Sequence, residues 1–457
     1  MRLVLASLIL LLAGYQACGT ESEMSKQAKL TVADGIWYQY GCPQVVSGGD
    51  RTFWAWVDTK GSIRVACYDH STREVTENTI APDFHADDHA QPSLLIRSSD
   101  NRVIIFYTRH ADNILRWRIS DNAYDVGLFG PELTYTLASG GVALTYPQPV
   151  ELTAESRIYV FFRRTTTALD VREWRYVTST DNGETFGNES VLRENFQSCG
   201  GGYVINPYTM PIGNGASRID FVSFDYEQIG KGGTPRNLYH WYYQEGAYHQ
   251  SDGTKIKDLQ DGHIERQSEV TTVHETDHTN IWDITIDGNG CPVIVYAKFV
   301  DYHTDHRYRY ARWNGSEWNH YEIARGGGPV SEAGGREWYS GGICLNRNNP
   351  SIVYLSRETR PGFFEIYEYF TPDGGATWGE AAKYEGRSNT KNFRPQYPRN
   401  ADESYIKLMF VSGDYVDFTD YDGSIFAYPG PPRHLLRSLV KTVAPHYRKM
   451  RSLLVRS

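Results

Sequence analysis

One strong apolar strand recurs along the whole chain, and this repetition constrains the fold more than any other feature of the sequence. Its seven copies start 40 to 74 residues apart, at residues 63–68, 103–107, 158–162, 219–224, 293–297, 352–355 and 406–411. Most copies follow a polar turn, such as Asp287-Gly-Asn-Gly290. A repeat of roughly 40–50 residues with several strands in each unit is typical of a β-propeller. We therefore predict an all-β fold, a seven-bladed β-propeller with four-stranded antiparallel blades, over residues 30–428.

Composition and two short motifs agree with this prediction. The chain has 33 Tyr, 18 Phe and 11 Trp, which suit pleated strands, and 42 Gly, which suit turns. Residues 179–186 and 371–378 match the Asp-box pattern S/T-x-D-x-G-x-T-W/F, a tight turn between the outer strands of a blade, and residues 314–318 look like a degraded copy. Tandem β-sandwiches are the alternative, but they would not explain why the strongest strand recurs at the same point of each unit.

The two ends of the chain differ from the repeats. Residues 1–17 resemble a secretory signal peptide, with Arg2 before an apolar run. Cys18 follows directly, as in a bacterial lipoprotein, so the mature protein is expected to be either secreted or lipid-anchored at the outer membrane, and in both cases extracellular or periplasmic. Residues 429–457 are basic and contain no Asp or Glu. This extension is either an amphipathic segment for anionic surfaces or a poorly ordered tail.

The overall charge and the cysteines narrow the function classes. A formal net charge of −9 argues against non-specific nucleic-acid binding. The five cysteines after Cys18 are widely scattered, and an odd number does not make a disulfide framework, although a bridge between Cys42 and Cys67 stays open. We expect a monomer with no nucleic-acid partner.

Two histidines lie at the open end of one predicted hairpin. Residues 92–96 and 103–107 read as antiparallel strands joined by a short polar loop. If the loop is centred between Ser99 and Asp100, the numbers of opposite residues add up to 199, and His89 lies directly opposite His110. Cβ atoms of opposite residues are roughly 5 Å apart. Two imidazoles this close, with an arginine and acids beside them, indicate a proton-transfer site.

The same register argument applies to the next hairpin. It places Tyr146 opposite Arg164, with Arg163 one step away, so the arginine that faces the site stays open. Equivalent positions of successive blades surround one face of a propeller, which puts these residues beside the histidines. Other residues predicted to bind substrate on that face are Tyr203, Tyr208, Arg236, Arg336, Trp338, Tyr339, Arg357 and Arg394.

These residue types suit a polyanionic sugar. Arginine binds carboxylate or sulfate bidentately, histidine titrates near neutral pH, and a nearby arginine is expected to lower the pKa of a tyrosine. The sequence offers no obvious pair of isolated catalytic carboxylates for ordinary glycoside hydrolysis, no Gly-x-Ser-x-Gly elbow and no Arg-Ile-Pro motif of the sialidases.

The histidine segment also resembles a known family. Asp87-Asp-His89-x-x-Pro-Ser-Leu, followed by Phe106-Tyr-Thr-Arg-His110, is similar to the BNR-repeat propeller polysaccharide lyases, above all the secreted ulvan lyases, and the likeness covers residues 35–428. The resemblance implies β-elimination in a sulfated, uronate-containing polysaccharide, with histidine and tyrosine as base and acid and arginine neutralising the uronate. By motif, His89 and His110 match the family histidines, and Tyr146 with Arg163 or Arg164 match its tyrosine and arginine.

The resemblance further implies a buried structural metal, Zn²⁺ or Ca²⁺, and no cofactor for the chemistry. The residues that would hold it are His278, Cys291 and Cys344, because thiolate with imidazole suits Zn²⁺. The alternative is two small buried cysteines and a hydrogen-bonded histidine.

Two other functions stay open for a propeller of this kind. One is an exo-acting glycosidase or sialidase-like hydrolase, and the other is a glycan-binding propeller without catalysis. The acidic polysaccharide lyase is the function that the sequence favours.

Overall fold

Seven antiparallel sheets succeed one another along the chain and form a ring of blades. The computed structural model describes residues 30–137, 141–166, 171–197, 204–229, 232–387, 389–401 and 405–429. Its strands form one sheet for each blade, and the inner strands of neighbouring blades contact each other around the ring. The predicted seven-bladed β-propeller is therefore confirmed.

Each blade is a meander whose first strand is the innermost, and the strands are numbered in chain order. Blade one is β2 (Val45–Gly48), β3 (Arg51–Val57), β4 (Ile63–Asp69) and β5 (Val75–Ala81). Blade two is β6 (Ser93–Ile96), β7 (Arg102–Tyr107), β8 (Ile114–Ala123) and β9 (Leu133–Thr136). Blade three is β10 (Val142–Leu152), β11 (Arg157–Thr166), β12 (Val171–Ser179) and β13 (Gly187–Arg193).

The remaining blades follow the same order. Blade four contains β14 (Phe196–Gln197), β15 (Val204–Gly213), β16 (Arg218–Ile229), β17 (Gly232–Gln244), β18 (Ala247–Gln250), β19 (Lys255–Asp258) and β20 (Thr271–Asp277). Blade five is β21 (Thr279–Ile286), β22 (Pro292–Asp301), β23 (Asp305–Trp313) and β24 (Trp318–Gly327). Blade six is β25 (Ile343–Leu345), β26 (Ile352–Arg360), β27 (Phe363–Phe370) and β28 (Gly379–Tyr384). Blade seven is β29 (Lys391–Gln396), β30 (Ile406–Asp417), β31 (Asp420–Pro429) and β1 (Leu30–Asp34).

Blade seven closes the ring with strands from both ends of the described chain. β1 forms its outermost strand and pairs antiparallel with β31, with Leu30 opposite Ala427. On the inner side, Val46 of blade one makes a parallel bridge to Arg399, just after β29. The closure is thus made by hydrogen bonds at both the rim and the centre of the ring.

One expected strand has a different place in its blade. Six of the seven recurrent apolar strands are the second strand of a blade, whereas residues 63–68 lie in β4, the third strand of blade one. The true second strand, β3, is fully apolar at its centre and follows a tight turn in which Gly49 and Asp50 both have positive φ. The polar turn after β3 resembles the turns that precede the other six strands, and it therefore led to β4 being predicted in place of β3.

Blade four departs from the four-stranded pattern because the short β14 pairs with its inner strand β15, and β18, β19 and β20 lie beyond β17. The described residues include four short 3₁₀ helices, Asp88–Ala90, Thr153–Glu155, Leu259–Asp261 and Gln267–Glu269, and no α-helix. None of these helices approaches the length or apolarity that crossing a membrane requires.

The described cysteines, Cys42, Cys67, Cys291 and Cys344, are all free thiols, so the Cys42–Cys67 bridge is not formed.

Both Asp boxes form the expected turns between the third and fourth strands of blades three and six. In the first, the Asp181 carboxylate accepts hydrogen bonds from the Thr185 amide (3.0 Å), the Thr185 hydroxyl (2.5 Å) and the Ser179 hydroxyl (2.7 Å). Gly183 has φ +86°, which suits glycine. Phe186 is buried beneath the turn against Phe106 and Trp117.

The direction of the inner strands defines two faces of the ring. Inner strands start at what we call the upper face and end at the lower face, so residues just before β6, β10 and β25 gather at the upper mouth of the central channel. Residues 35–44, which connect β1 to β2, are buried and cross this channel. The upper mouth is therefore where side chains from several blades meet.

The first Asp box gives a stability test of the fold. Replacing Asp181 with Ala removes an acceptor of three hydrogen bonds in a half-exposed turn, and we expect the free energy of unfolding to fall by about 1–2 kcal/mol. Asp121→Ala is the control, because this exposed carboxylate has no hydrogen bond in the described part of the chain. Denaturant unfolding of both variants measures the effect; equal stabilities would contradict the role given to the box.

Candidate active site

The predicted histidine pair is formed at the upper mouth. β6 and β7 pair in the expected register, with Ser93 opposite Phe106. His89 lies in the 3₁₀ turn before β6 and His110 lies just after β7, and their rings stack with centroids 4.4 Å apart and planes 5° from parallel. The hairpin thus brings the two imidazoles together as predicted, although they touch face to face outside the ladder itself.

A single carboxylate holds both rings. Asp87 caps the 3₁₀ turn by accepting from the His89 amide, at 2.8 Å. Its Oδ1 lies 2.9 Å from His89 Nδ1, and its Oδ2 lies 2.7 Å from His110 Nδ1. Asp88 adds a second carboxylate, 2.8 Å from His89 Nδ1 only. The two imidazoles therefore have unequal electrostatic surroundings.

These surroundings separate the pKa values of the two histidines. Burial alone would lower the pKa of His89, but the Asp88 charge and the hydrogen bond to Asp87 outweigh it and raise the pKa to about 9. Burial, together with the positive charge of His89, lowers the pKa of His110 to about 4. Burial disfavours ionised Asp87, yet the hydrogen bonds from both histidines hold the pKa of its carboxyl well below its ordinary value. At neutral pH, His89 is cationic and His110 is neutral.

The hydrogen bonds also fix which nitrogen of His110 carries the proton. Ionised Asp87 can only accept, so neutral His110 must donate to it through Nδ1–H. Its Nε2 then has a free lone pair and can act as a base. Cationic His89 carries protons on both nitrogens, so its Nε2–H can act only as a donor.

The second hairpin corrects the predicted register. Thr145 pairs with Arg163 and Leu144 with Arg164, and the ladder shifts between Thr145 and Gln148. Tyr146 lies in this bulge with φ +61°. The turn sets the ladder one position from the one expected, and the bulge adds a second shift of one position. Arg163 and not Arg164 therefore faces Tyr146, with its guanidinium carbon 4.6 Å from the ring centroid.

Arg163 is a buried cation held by neutral partners. Its Nη1 donates to the Tyr208 hydroxyl at 2.8 Å and its Nη2 donates to the Thr145 hydroxyl at 3.0 Å. Its side chain forms no ion pair with a carboxylate in the described part of the chain, and only 6% of the residue is exposed. A buried guanidinium without a counter-charge is prepared for an anionic ligand.

The charge of Arg163 acts to lower the pKa of Tyr146, as expected, but it does not decide the net direction. Burial is the largest effect, and it raises the pKa of Tyr146 well above its ordinary value although the Arg163 charge acts in the opposite direction. Tyr146 is 1% exposed and packs against His89 and Tyr38, at centroid distances of 5.7 Å in both cases. Its hydroxyl therefore stays protonated at neutral pH.

Several residues at this mouth were not found from the sequence. Arg172 of β12 donates to the Tyr208 hydroxyl at 2.7 Å, which places a second guanidinium beside that of Arg163. Tyr38 stacks on His89 at 4.8 Å, and the edge of Phe418 meets the same ring at 4.9 Å. The Tyr38-Gln-Tyr40 sequence before β2 occupies the position that Asp87-Asp-His89 occupies before β6, and this correspondence was the available signal.

Together these side chains enclose a pocket of about 520 Å³ at the upper mouth. It is lined by Tyr38, Tyr40, His89, His110, Tyr146, Arg163, Arg172, Tyr208, Phe224, Tyr226, Pro235, Asn280, Gly335, Arg336, Trp338, Tyr339 and Phe418. These lining residues include no Asp or Glu. Arg336 is held by Asp417 at 3.1 Å and lies over Phe418, while Trp338 is half-buried.

Other residues predicted for the site lie elsewhere. Arg164 is turned away from the pocket and pairs with Glu173 at 2.6 Å, because neighbouring strand residues point to opposite faces. Arg357 bonds to the Tyr369 hydroxyl at 2.9 Å on the flank of blade six.

Arg236 and Arg394 are also outside the pocket, and Tyr203 lies outside the described residues. Arg236 is exposed and pairs with Glu227 at 2.6 Å, next to the pocket residue Pro235. Arg394 is 1% exposed and lies beneath the site, where it donates to Asp88 at 2.8 Å. The leader at residues 1–17, Cys18 and the basic extension after Pro429 also lie outside the described part.

The predicted metal ligands are not brought together. His278 precedes β21 and Cys291 lies at the opposite end of the β21–β22 hairpin, so eight strand residues separate them by roughly 26 Å. Cys344 is buried in β25 of the next blade. Among the described residues, the three-residue group with potential ligand atoms within 4.8 Å of each other is Asp87, His89 and His110.

Comparison with known proteins gives the family. The sequence profile described as "BNR repeat-containing family member" matches residues 51–325, which is more than half of the chain. The chain belongs to the BNR repeat-containing family. No protein of curated function matches its sequence.

Solved structures with the same fold include polysaccharide lyases. A PL25 ulvan lyase matches with a TM-score of 0.69 at 16% identity, covering 89% of this chain and 96% of the other. A PL25 ulvan lyase bound to -[GlcA(1-4)Rha3S]- matches with 0.68 at 17% identity, with the same coverage. The polysaccharide lyase Uly1 matches with 0.55 at 9% identity, covering 90% and 95%. At these identities the similarity establishes the fold alone.

The separation of the two histidine pKa values can be measured directly. In NMR titrations of the side-chain nitrogens, we expect His89 to titrate near pH 9 and His110 near pH 4, so the pair carries one positive charge over roughly pH 5 to 8. Asp88→Asn should lower the pKa of His89, because it removes a negative charge from that ring. Two histidines titrating together near their ordinary pKa would contradict this electrostatic description.

Proposed function

We propose that this protein is a polysaccharide lyase that cleaves an acidic, uronate-containing polysaccharide by β-elimination. The observation that carries the proposal is the stacking of two histidines held by one carboxylate, beside a buried arginine that forms no ion pair within the described residues. Elimination next to a carboxylate needs this combination: a base, a cation for the developing enolate, and an acid for the leaving oxygen.

Binding of the uronate carboxylate is assigned to Arg163 and His89. Arg163 supplies the planar guanidinium that suits bidentate carboxylate binding, and His89 supplies a second positive charge across the Tyr146 ring. Removing the substrate carboxylate's charge in this way acidifies the proton on the adjacent carbon. The surrounding tyrosine rings exclude water, which strengthens both interactions.

Proton transfer is assigned to His110 and Tyr146. His110 Nε2 takes the proton from the carbon next to the carboxylate, and the electron pair forms the enolate that Arg163 and His89 stabilise. The enolate collapses to a carbon–carbon double bond, the glycosidic carbon–oxygen bond breaks, and the oxygen takes the Tyr146 hydroxyl proton. The raised pKa of Tyr146 keeps this proton available at neutral pH. His110 then loses its proton to solvent, and the Tyr146 phenolate regains one from solvent, which restores both groups.

A sulfated polysaccharide of the ulvan kind is the substrate we propose. Arg172 and Arg336 line the same pocket as Arg163 and provide positive charge for a sulfate on a neighbouring sugar. The half-buried Trp338 offers an aromatic face for a sugar ring. The bound -[GlcA(1-4)Rha3S]- in a structurally similar ulvan lyase supports this substrate class.

Such a substrate lies outside the cell, which agrees with the leader at residues 1–17. We therefore propose that the protein is exported and acts as a monomer, either free or anchored through Cys18. A hydrolase with a carboxylate pair is less well supported, because the described lining of the pocket contains no carboxylate.

The reaction itself is tested by its product. We expect the purified protein to release unsaturated uronyl products from ulvan, detected by their ultraviolet absorbance, and His110→Ala to lower the rate at least ~100-fold by removing the base. A binding assay with the same polysaccharide is run in parallel, since the variant should keep most of its affinity. Binding without any unsaturated product from the unmodified protein would refute the lyase proposal and leave a glycan-binding propeller.

Two adjacent arginines provide a matched pair for the role of the carboxylate site. Arg163→Ala should lower kcat/KM by about 100-fold or more, because the enolate loses its main counter-charge. Arg164→Ala should change kcat/KM less than about threefold, since Arg164 points to the opposite face and pairs with Glu173. Steady-state kinetics on ulvan measure both, and a larger loss in the Arg164 variant would reverse the assignment.

A further inference from the structure

A second cavity lies at the lower mouth of the channel, opposite the candidate active site. Its volume is about 570 Å³, and its walls come from residues at or after the ends of the inner strands, where the strands reach the lower face. Apolar walls are formed by Val46, Leu94, Ile96, Val150 and Ile212. The charged residues that line it are Glu151, Asp287, Arg347 and Arg399.

The channel between the two cavities is blocked. The connector at residues 35–44 crosses it, and Cys42 contacts Gln148 through a hydrogen bond of 3.4 Å. Gln148 in turn donates to the Thr209 carbonyl at 3.3 Å. The space left around Cys42 is a void of about 10 Å³, too small for a sugar. A ligand of the lower cavity is therefore distinct from the substrate of the upper one.

Arg399 is the unusual residue of this cavity. Its Nη2 makes only long contacts, 3.6 Å to Cys42 Sγ and 3.3 Å to the Pro211 carbonyl, and its Nε is shielded from solvent with no hydrogen-bond partner. No carboxylate of the described residues forms an ion pair with it. Burial lowers the pKa of Arg399, and the neighbouring charge of Arg347 adds to this effect.

The other charges of the cavity are already engaged. Arg347 donates to Asp283 at 2.6 Å. Glu151 accepts two hydrogen bonds of 2.8 Å from Ser98, and Asp287 pairs with Arg312 at 2.5 Å. Arg399 is thus a largely desolvated cation whose counter-charge is not supplied by these neighbours, and such a charge is costly unless an anion joins it.

We propose that the lower cavity is an oxyanion-binding site centred on Arg399. The planar guanidinium, whose Nη2 makes only long contacts, suits a sulfate or carboxylate, and the volume also accommodates such a group carried on a single sugar. The site uses none of the residues assigned to catalysis.

Its place in the ring gives the site a consequence for stability. The Arg399 amide donates to the Val45 carbonyl at 3.0 Å, and its carbonyl accepts from the Ser47 amide at 2.8 Å. These bonds join blade seven to blade one. An anion on Arg399 therefore binds where the ring closes and stabilises the folded protein by mass action.

Thermal unfolding of the full chain tests the proposal. We compare sodium sulfate with sodium chloride at equal ionic strength, in the unmodified protein, in Arg399→Met and in Arg163→Ala. Sulfate stabilises most proteins by exclusion from the surface, so the measured quantity is the difference between variants. The unmodified protein should gain about 2 °C or more in Tm over Arg399→Met, and Arg163→Ala measures any part of the gain that comes from sulfate at the upper site. Equal gains in all three would overturn the site.

A direct measurement covers the case in which Arg399→Met does not fold. Crystals of the unmodified protein soaked in selenate should show an anomalous peak beside Arg399, and a lower cavity without one would overturn the proposal. Further thermal-unfolding measurements use glucuronic acid or a sulfated monosaccharide in place of inorganic sulfate. These sugars are measured in Arg163→Ala, because the unmodified upper pocket is proposed to bind them. In that variant, stabilisation by either sugar at lower concentration than inorganic sulfate identifies a sugar-borne anion, and equal concentrations identify the free ion; the absence of any stabilisation would overturn the site.

Discussion

The carboxylate of Asp87 is the interaction on which the candidate site depends. It is bound to the amide and the Nδ1 of His89 and to the Nδ1 of His110, so one group sets the turn before β6 and the orientation of both imidazoles. Two stacked imidazolium ions 4.4 Å apart would repel each other by on the order of 4 kcal/mol at the effective dielectric of such sites. The arrangement therefore favours one proton charge for the pair, and the carboxylate supplies its counter-charge.

The propeller makes this arrangement possible because each blade delivers its residues to the same mouth. His89 and His110 come from one hairpin, Arg163 comes from the next, and Tyr38 comes from the connector that starts blade one. The two hairpins and the connector are separate segments of the chain, and the ring brings them to one mouth. The closure of blade seven by β1 fixes the connector across the channel, so the stability of the ring and the wall of the pocket are linked.

Much of the fold and half of the site followed from sequence patterns, and the failures have local physical causes. The seven blades were predictable because the apolar strand recurs. The histidine register was predictable because a short polar loop joins two clear strands. The bulge at Tyr146 was not, since nothing in its sequence marks a positive φ for a tyrosine, and a turn register one position from the expected one exchanged Arg164 for Arg163. The prediction of a metal site was wrong because His278 and Cys291, although they belong to the same blade, lie at opposite ends of one hairpin.

The asymmetry of the histidine pair comes from Asp88 rather than from Asp87. Asp87 offers one oxygen to each ring, and by itself it would let the proton sit on either imidazole. Of the two histidines, Asp88 contacts only His89, and it is fully buried, so it favours the charge on that ring. A buried aspartate would normally be expensive, but Arg394 and the Tyr415 hydroxyl each donate to its Oδ2 at 2.8 Å. Arg394, predicted to touch substrate, thus acts from below by holding the Asp88 carboxylate beside His89.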